Sequence, residues 1–133
     1  MRVVLCCGVF DLLHVAHIEH LSEARGMGEW LVVGVTRDSG VGKGHGRPVI
    51  PEDERAECVV ALYCVSQVIL CDDSIDALER IKPHVFCKGS DYLKKGLLDS
   101  ELKFCHENGV DIRYTKPHPR TTSSIIERIK CAS

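Results

Sequence analysis

Long apolar runs and an excess of one charge are both missing from this 133-residue sequence. No apolar run approaches the ~18–20 residues that a membrane-spanning helix needs, so no membrane partner is expected. The 17 basic and 19 acidic residues give a formal charge of −2, without the basic excess typical of a nucleic-acid-binding protein. Gly8 interrupts the first apolar segment too early for a signal peptide, and we expect a cytoplasmic protein.

Closely spaced cysteine pairs are also missing, although the sequence contains eight cysteines. None of them forms a Cys-x-x-Cys motif, which is the spacing typical of zinc sites. A disulfide framework is typical of secreted proteins, which this sequence does not resemble. We therefore expect reduced and mostly buried thiols, and no metal held by protein ligands.

Two common nucleotide-binding loops are absent as well. The glycine-rich stretch 39–47 is not a Walker loop, because no Ser or Thr follows Lys43. No Gly-x-Gly-x-x-Gly follows the first predicted strand, which argues against a dinucleotide-dependent oxidoreductase.

Apolar strand-like and helix-like segments alternate along the whole chain. Its 44% hydrophobic and 27% charged residues are typical of a globular protein, and residues 1–133 are enough for a single domain. We predict strands at 2–7, 30–36, 68–71, 85–88 and 110–114, and helices at 15–27, 51–63, 75–81, 96–108 and from 123 onward. This alternation predicts a parallel sheet with helices on both faces, and a ligand site at the carboxyl ends of the strands.

The stretch 8–17 follows the first strand and is the most informative part of the sequence. Gly8 lets a ligand approach the backbone closely. His14 and His17 are three residues apart at a helix start, so both rings emerge on one side. They also lie at the positive end of the helix dipole, where anions bind. Paired imidazoles at such a position favour a polyphosphate ligand.

Three other positions carry groups suited to phosphate. Lys43 lies on the glycine-rich stretch and is expected to fold over the phosphates as a movable charge. Ser123 and Ser124 begin the last helix and offer hydroxyl and amide donors. His20 continues the three-residue spacing of the histidines, but we expect it on the solvent-exposed flank of the helix.

Four sequence blocks carry a resemblance to a known family. They are the Gly-x-Phe-Asp-x-x-His-x-x-His motif at 8–17, the segment KGHGRPVIPEDERAE at 43–57, KGSDY at 88–92 and TSSII at 122–126. Together they resemble the cytidylyltransferase-like family of nucleotidylyltransferases. The second and third blocks are similar to bacterial heptose-phosphate adenylyltransferases and, less closely, to glycerol-3-phosphate cytidylyltransferases. Ala16 stands where the family has glycine, and Arg120-Thr121 directly precedes the hydroxyl-rich block.

The resemblance implies a Rossmann-like, five-stranded, doubly wound α/β domain and a set of site residues. The catalytic residues would be His14, His17 and Lys43, and the acceptor phosphate would bind Lys43 and Arg55. Mg²⁺ would be held mainly through the triphosphate, and a homodimer would form through helix 51–63. The implied nucleotide-binding residues are Gly8, Val9, Phe10, Asp11, His14, His17, Lys88, Gly89, Asp91, Arg120, Thr122, Ser123 and Ser124.

The implied reaction is transfer of a nucleotidyl group from a nucleoside triphosphate to a sugar or polyol phosphate, with release of pyrophosphate. The second and third blocks favour ATP and a heptose-like phosphate. The first alternative is a CTP-dependent cytidylyltransferase that acts on glycerol 3-phosphate or another polyol phosphate. A non-catalytic nucleotide-binding module is a further alternative, and a metal-dependent regulator that uses the histidines and thiols is more distant.

Overall fold

The computed structural model describes residues 1–42, 44, 46–119 and 122–132, which form strands and helices in alternation. The strands are β1 (Val3–Gly8), β2 (Trp30–Thr36), β3 (Gln67–Cys71), β4 (Val85–Lys88) and β5 (Asp111–Tyr114). The helices are α1 (Val15–Arg25), α2 (Glu52–Val60), α3 (Ser74–Ile81), α4 (Tyr92–Lys95), α5 (Asp99–Asn108) and α6 (Thr122–Ala132), with a short 3₁₀ turn at Asp38–Gly40.

The five strands form one parallel sheet in the order β3-β2-β1-β4-β5. The chain runs outward from β1 through β2 to β3, and then returns to place β4 on the other side of β1. The strand order therefore reverses between β1 and β4, where open α/β sheets bind their ligands. The predicted doubly wound Rossmann-like fold is confirmed.

Successive residues of the central strands point to opposite faces of the sheet, and both faces are buried. In β1, Val4 and Cys6 pack against Leu21 of α1 and Val59 of α2. Leu5 points the other way, into the cluster that contains Leu78 of α3 and Cys105 of α5. Helices thus cover both faces, which explains why β1 and β2 are apolar throughout.

Several element boundaries differ from the sequence prediction. α2 ends at Val60, because the chain turns through residues 61–65 before β3. Residues 92–95 form the separate short helix α4, which the pattern did not predict, and Gly96 ends it with φ +75°. Gly109 ends α5 in the left-handed region, at φ +64°, as the Asn-Gly pair at 108–109 predicts.

All eight cysteines lie in the described part of the chain and are free thiols. Cys6, Cys71, Cys87 and Cys105 are buried, and the other four are half-buried or exposed. Among the described residues, no helix combines the length and apolar character that crossing a membrane would require.

Candidate active site

The loop between β1 and α1, residues 9–14, contains strained backbone. Phe10 and Leu12 have φ values of +53° and +54°, a region that costs non-glycine residues roughly 1–2 kcal/mol each. Such conformations persist only where the surrounding structure holds them. Two buried charged residues supply this support: Asp11, which lies between the two strained positions, and Arg55 of α2.

Asp11 binds the loop to the segment that precedes α2. Its carboxylate accepts hydrogen bonds from Nε of Arg47 at 2.9 Å and from the amides of Val49 and Ile50 at 2.9 and 3.0 Å. Burial raises the pKa of Asp11, but these three hydrogen bonds outweigh it, and the pKa lies below its ordinary value. Asp11 is therefore a carboxylate at neutral pH.

Arg55 of α2 also holds the loop between β1 and α1. Its side chain is fully buried, and it donates from Nη1 to the carbonyl of Val9 at 2.6 Å and from Nε to the carbonyl of Ile50 at 2.8 Å. Nη2 lies 2.6 Å from the Asp38 carboxylate. The structure therefore directs this guanidinium toward protein oxygens. The sequence resemblance instead implied that it binds the acceptor phosphate.

Gly8 ends β1 directly beneath the ring of Phe10. A Cβ atom at Gly8 would lie 2.9 Å from Cε2 of Phe10 and 3.0 Å from Cζ. Close packing within the protein thus requires glycine at this position, in addition to any approach of a ligand.

His14 and His17 cap the start of α1 with their own side chains. Nδ1 of His14 accepts from the amide of Ala16, and Nδ1 of His17 accepts from the amide of His14, both at 3.2 Å. The ring centroids are 4.0 Å apart, and the Phe10 ring meets His17 edge-on at 5.4 Å. Because each Nδ1 accepts a hydrogen bond, the neutral rings carry their protons on Nε2 and are N–H donors there.

These histidines line a crevice of about 880 Å³ at the carboxyl ends of the strands. Its volume lies within the range of small-molecule sites. The crevice extends from the loop after β1, along α1, to the segments that follow β4 and β5. The lining residues are Cys7, Gly8, Val9, Phe10, Asp11, His14, Ala16, His17, His20, Gly89, Ser90, Asp91, Tyr92, Leu93, Lys94, Thr115, Lys116, Pro117, His118 and Ser123.

The structure brings most of the sequence-predicted site residues to this crevice. Gly8 to Asp11, both motif histidines, Gly89, Asp91 and Ser123 line it, and Ser124 lies next to Ser123 on α6. Lys43, Arg120 and the side chain of Thr122 lie outside the described residues.

Lys88 is placed differently from its expected role. It is buried at the end of β4, with Nζ 3.4 Å from Oε2 of Glu101 and 4.0 Å from the ring centroid of Tyr92. Its charge is directed toward Glu101 of α5. Lys88 therefore supports the crevice wall from the protein interior.

His20 is the main residue that the sequence reasoning misplaced. We expected it in solvent, but it lines the crevice, and its Nδ1 lies 2.6 Å from Oγ1 of Thr115. His20 follows His17 by three residues and so shares its helix face. This spacing was visible in the sequence, but the contact with Thr115 depends on β5, 95 residues away.

Metal ligands are not grouped in the described residues. None of their side chains forms a group of three or more His, Cys, Asp or Glu that could hold a metal ion. The crevice instead offers imidazole, hydroxyl and amide groups, which suit the oxygens of an anion.

Comparisons with known proteins agree with this geometry. A sequence profile of the cytidylyltransferase-like family matches residues 5–129. The chain is 36% identical over 132 residues to the Bifunctional protein HldE of Pelobacter propionicus and 40% identical over 133 residues to that of Citrifermentans bemidjiense. Each match covers 96% of this chain but only 27% of the relative, so the chain spans about a quarter of these proteins' length.

Solved structures show the same relationship. A lipopolysaccharide core biosynthesis protein from Thermoplasma volcanium superposes with a TM-score of 0.75 and 31% identity, over 89% of this chain and 98% of that one. The pantoate-beta-alanine ligase of Francisella tularensis shares the fold, with a TM-score of 0.61 and 12% identity over 97% of this chain and 69% of the ligase. The chain therefore belongs to the cytidylyltransferase-like family, and the nucleotidylyltransferase class that its sequence predicts is confirmed.

Proposed function

We propose that this domain transfers a nucleotidyl group from a nucleoside triphosphate to a sugar or polyol phosphate and releases pyrophosphate. One observation supports this most strongly. Two reciprocally capping histidines, His14 and His17, line a crevice at the start of α1, beside the point where the strand order reverses. This arrangement combines imidazole donors with the amides and the positive dipole of a helix N-terminus, all of which favour a chain of phosphates.

The reaction needs positioning more than acid–base chemistry. An oxygen of the acceptor phosphate attacks the α-phosphorus, the new P–O bond forms, and the bond between the α-phosphorus and the bridging oxygen breaks. The electron pair of that bond leaves with pyrophosphate. Because the nucleophile is already ionised, no general base is required. The barrier is lowered by aligning two anions and stabilising charge on the transferring group.

The roles of the individual residues follow from their places. His14 and His17 would donate from Nε2 to the phosphate oxygens as negative charge develops on them. Ser123, at the start of α6, also lines the crevice and would contribute a hydroxyl. Lys43 and Arg120 would add positive charge, and they remain proposals from the sequence, outside the described residues.

Asp11 and Arg55 would act indirectly. Their hydrogen bonds hold the loop that carries His14, so we assign them a positioning role. This replaces the acceptor-phosphate role that the resemblance suggested for Arg55, because its guanidinium is buried against protein oxygens.

The groups that line the crevice suit Mg²⁺ only when the ion is bound to the nucleotide. The crevice presents few carboxylates, and Mg²⁺ commonly binds through substrate phosphates with few protein ligands. Bound to the triphosphate, the ion would offset negative charge during attack by a second anion.

For the substrates, we propose ATP and a heptose-like phosphate. The segments 43–57 and 88–92 resemble heptose-phosphate adenylyltransferases, and a lipopolysaccharide core biosynthesis protein is a close structural match. CTP with glycerol 3-phosphate or another polyol phosphate is the alternative, because the same segments resemble those cytidylyltransferases more weakly.

The experiment is a pyrophosphate-release screen of ATP, CTP, GTP and UTP against sugar phosphates and polyol phosphates. We expect turnover with ATP and a heptose phosphate, and none when the phosphate is removed from the acceptor. Turnover with CTP alone would reject the adenylyl preference. If the protein binds a nucleotide tightly but releases no pyrophosphate with any acceptor, the proposed transferase activity is rejected. A non-catalytic nucleotide-binding module is then favoured.

The binding-module alternative has one structural observation in its favour. Ala16 lies between the two histidines and lines the crevice, so its methyl group stands where a nucleotide would pack. An Ala16→Gly variant tests it: a large gain in turnover from an almost inactive wild type would support the module.

We also propose a homodimer that uses the end of α2. Val60 and the nearby Tyr63 are exposed apolar side chains on this part of the surface. Analytical ultracentrifugation should show a dimer for the wild type and a monomer for Val60→Asp combined with Tyr63→Asp. A wild-type monomer would reject this proposal.

A further inference from the structure

The two ends of the crevice differ in their electrostatics. The end at His14 and His17 has the helix N-terminus and its amide donors. The other end lies one turn further along α1 and contains His20, Thr115 and Pro117. The carboxylates of Glu19 and Glu23 lie near this second end and make it less favourable for an anion than the first end.

These carboxylates belong to α1 and hold the segment after β5. Both carboxylate oxygens of Glu23 accept from the amide of Lys116 at 3.2 Å, and Oε2 of Glu19 lies 3.3 Å from Nε2 of His118. The segment 115–118 is thus fastened to the outer side of α1. These contacts hold the wall of the second end in place.

His20 is a polar residue of this wall. Thr115, its hydrogen-bond partner at 2.6 Å, is buried, and the amide of Thr115 donates to the carbonyl of Lys88 at 3.0 Å. The hydroxyl is therefore fixed by the sheet, and it fixes the orientation of the imidazole. With Nδ1 engaged by Thr115, Nε2 is the other polar atom of the ring.

His20 is suited to an uncharged ligand group. Burial lowers its pKa, and this outweighs the opposing effect of the Glu23 and Asp91 carboxylates, while the Lys88 charge lowers the pKa further. The ring is therefore neutral at neutral pH and can donate or accept at Nε2, according to its tautomer. Base edges and ribose hydroxyls need this kind of partner.

We propose that His20, oriented by Thr115, is a specificity-determining residue that hydrogen-bonds the nucleoside part of the bound triphosphate. This inference rests on the proposed function. Three residues along an α-helix rise about 4.5 Å. A ligand whose phosphates lie at His17 therefore brings its sugar or base within reach of His20.

The test separates nucleoside contacts from phosphate contacts. Binding of ATP, CTP and inorganic tripolyphosphate is measured by calorimetry for the wild type, His20→Leu, His20→Gln and the control His106→Leu, which changes an exposed histidine on α5. We expect His20→Leu to weaken binding of the preferred nucleotide about tenfold, as loss of one hydrogen bond does. It should leave tripolyphosphate binding and the KM of the acceptor within about twofold, and His20→Gln should recover part of the loss.

Thr115 is tested as a positioning residue. Thr115→Val should weaken nucleotide binding severalfold without changing tripolyphosphate binding, and Thr115→Ser should restore it. A merely structural role would not produce this difference between the two ligands or this rescue.

Three results would overturn the inference: nucleotide affinity unchanged in His20→Leu, an equal loss of tripolyphosphate binding, or a rise in acceptor KM instead. Different results would reject the proposed function. A wild type that binds nucleotide but releases no pyrophosphate rejects the reaction, while the binding comparison still decides the role of His20. A wild type that binds no nucleotide overturns both.

Discussion

The amide of His14 donates to Nδ1 of His17 across 3.2 Å, so the motif histidines form the cap of the helix that they serve. In most helices, Ser, Thr, Asp or Asn fills this role and an acidic residue or Gln completes it. Here the capping bonds use Nδ1 of each ring, which places the proton of the neutral imidazole on Nε2. Helix stability and the proposed phosphate contacts therefore depend on the same two side chains.

Replacement of His17 should separate these two contributions. We expect His17→Ala to lower kcat/KM at least about a hundredfold, the usual effect of losing one charge-stabilising donor. Loss of the cap should reduce the free energy of unfolding by only about 1 kcal/mol. Pyrophosphate-release kinetics and urea unfolding measure the two effects, with His106→Ala as the control. Wild-type activity in a folded His17→Ala protein would reject the phosphate role.

Arg55 offers a test of positioning against direct binding. Lysine keeps the charge but cannot donate to Val9, Ile50 and Asp38 at once, so Arg55→Lys should lower the free energy of unfolding by at least about 2 kcal/mol. Nucleotide affinity should fall with it, because the loop after β1 loses its support.

The KM for the acceptor separates the two roles of Arg55. We expect it to change little in Arg55→Lys. A selective rise in this KM, with stability and nucleotide affinity unchanged, would restore the acceptor-phosphate role that the resemblance implied.

A side chain at Gly8 should destabilise the protein while Phe10 is present. A Cβ at Gly8 would lie 2.9 Å from the Phe10 ring, so Gly8→Ala should destabilise the protein by about 1–3 kcal/mol. Adding Phe10→Leu should recover part of this loss in a double-mutant cycle. Gly42→Ala is the matched control, because its Cβ would have no atom within 4 Å. Equal effects of the two alanine substitutions would contradict the packing argument.

The depressed pKa of Asp11 predicts a pH dependence with a definite sign. A lowered folded-state pKa stabilises the protein fully above the unfolded value, about 3.9, and this contribution is lost as the pH falls through the folded-state pKa. Asp11→Asn should therefore cost about 3 kcal/mol at pH 7, because the half-buried Arg47 loses the partner that buried Asp11 provides.

The difference between the wild type and Asp11→Asn should shrink below about pH 4. Urea unfolding at a series of pH values between 7 and 3 measures it. A difference that stays constant down to pH 3 would show that Asp11 does not titrate with a depressed pKa.

Local patterns in the sequence were sufficient to predict the architecture. Apolar runs predicted all five strands, because a parallel strand covered on both faces must be apolar on both. The Asn-Gly pair at 108–109 predicted the end of α5, since glycine adopts the left-handed conformation without strain. The three-residue spacing of His14 and His17 predicted neighbouring rings, because an N-cap residue and the third residue of the helix meet at the helix start.

Only the tertiary structure decided which polar side chains face the crevice and which lie behind it. The partners of Arg55 and His20 lie 46 and 95 residues away, at Val9 and Thr115. Sequence periodicity assigns a residue to a helix face, but burial of a charge depends on which distant group reaches it. For this reason Arg55 lies buried and holds the loop after β1. His20, which was expected in solvent, lines the crevice.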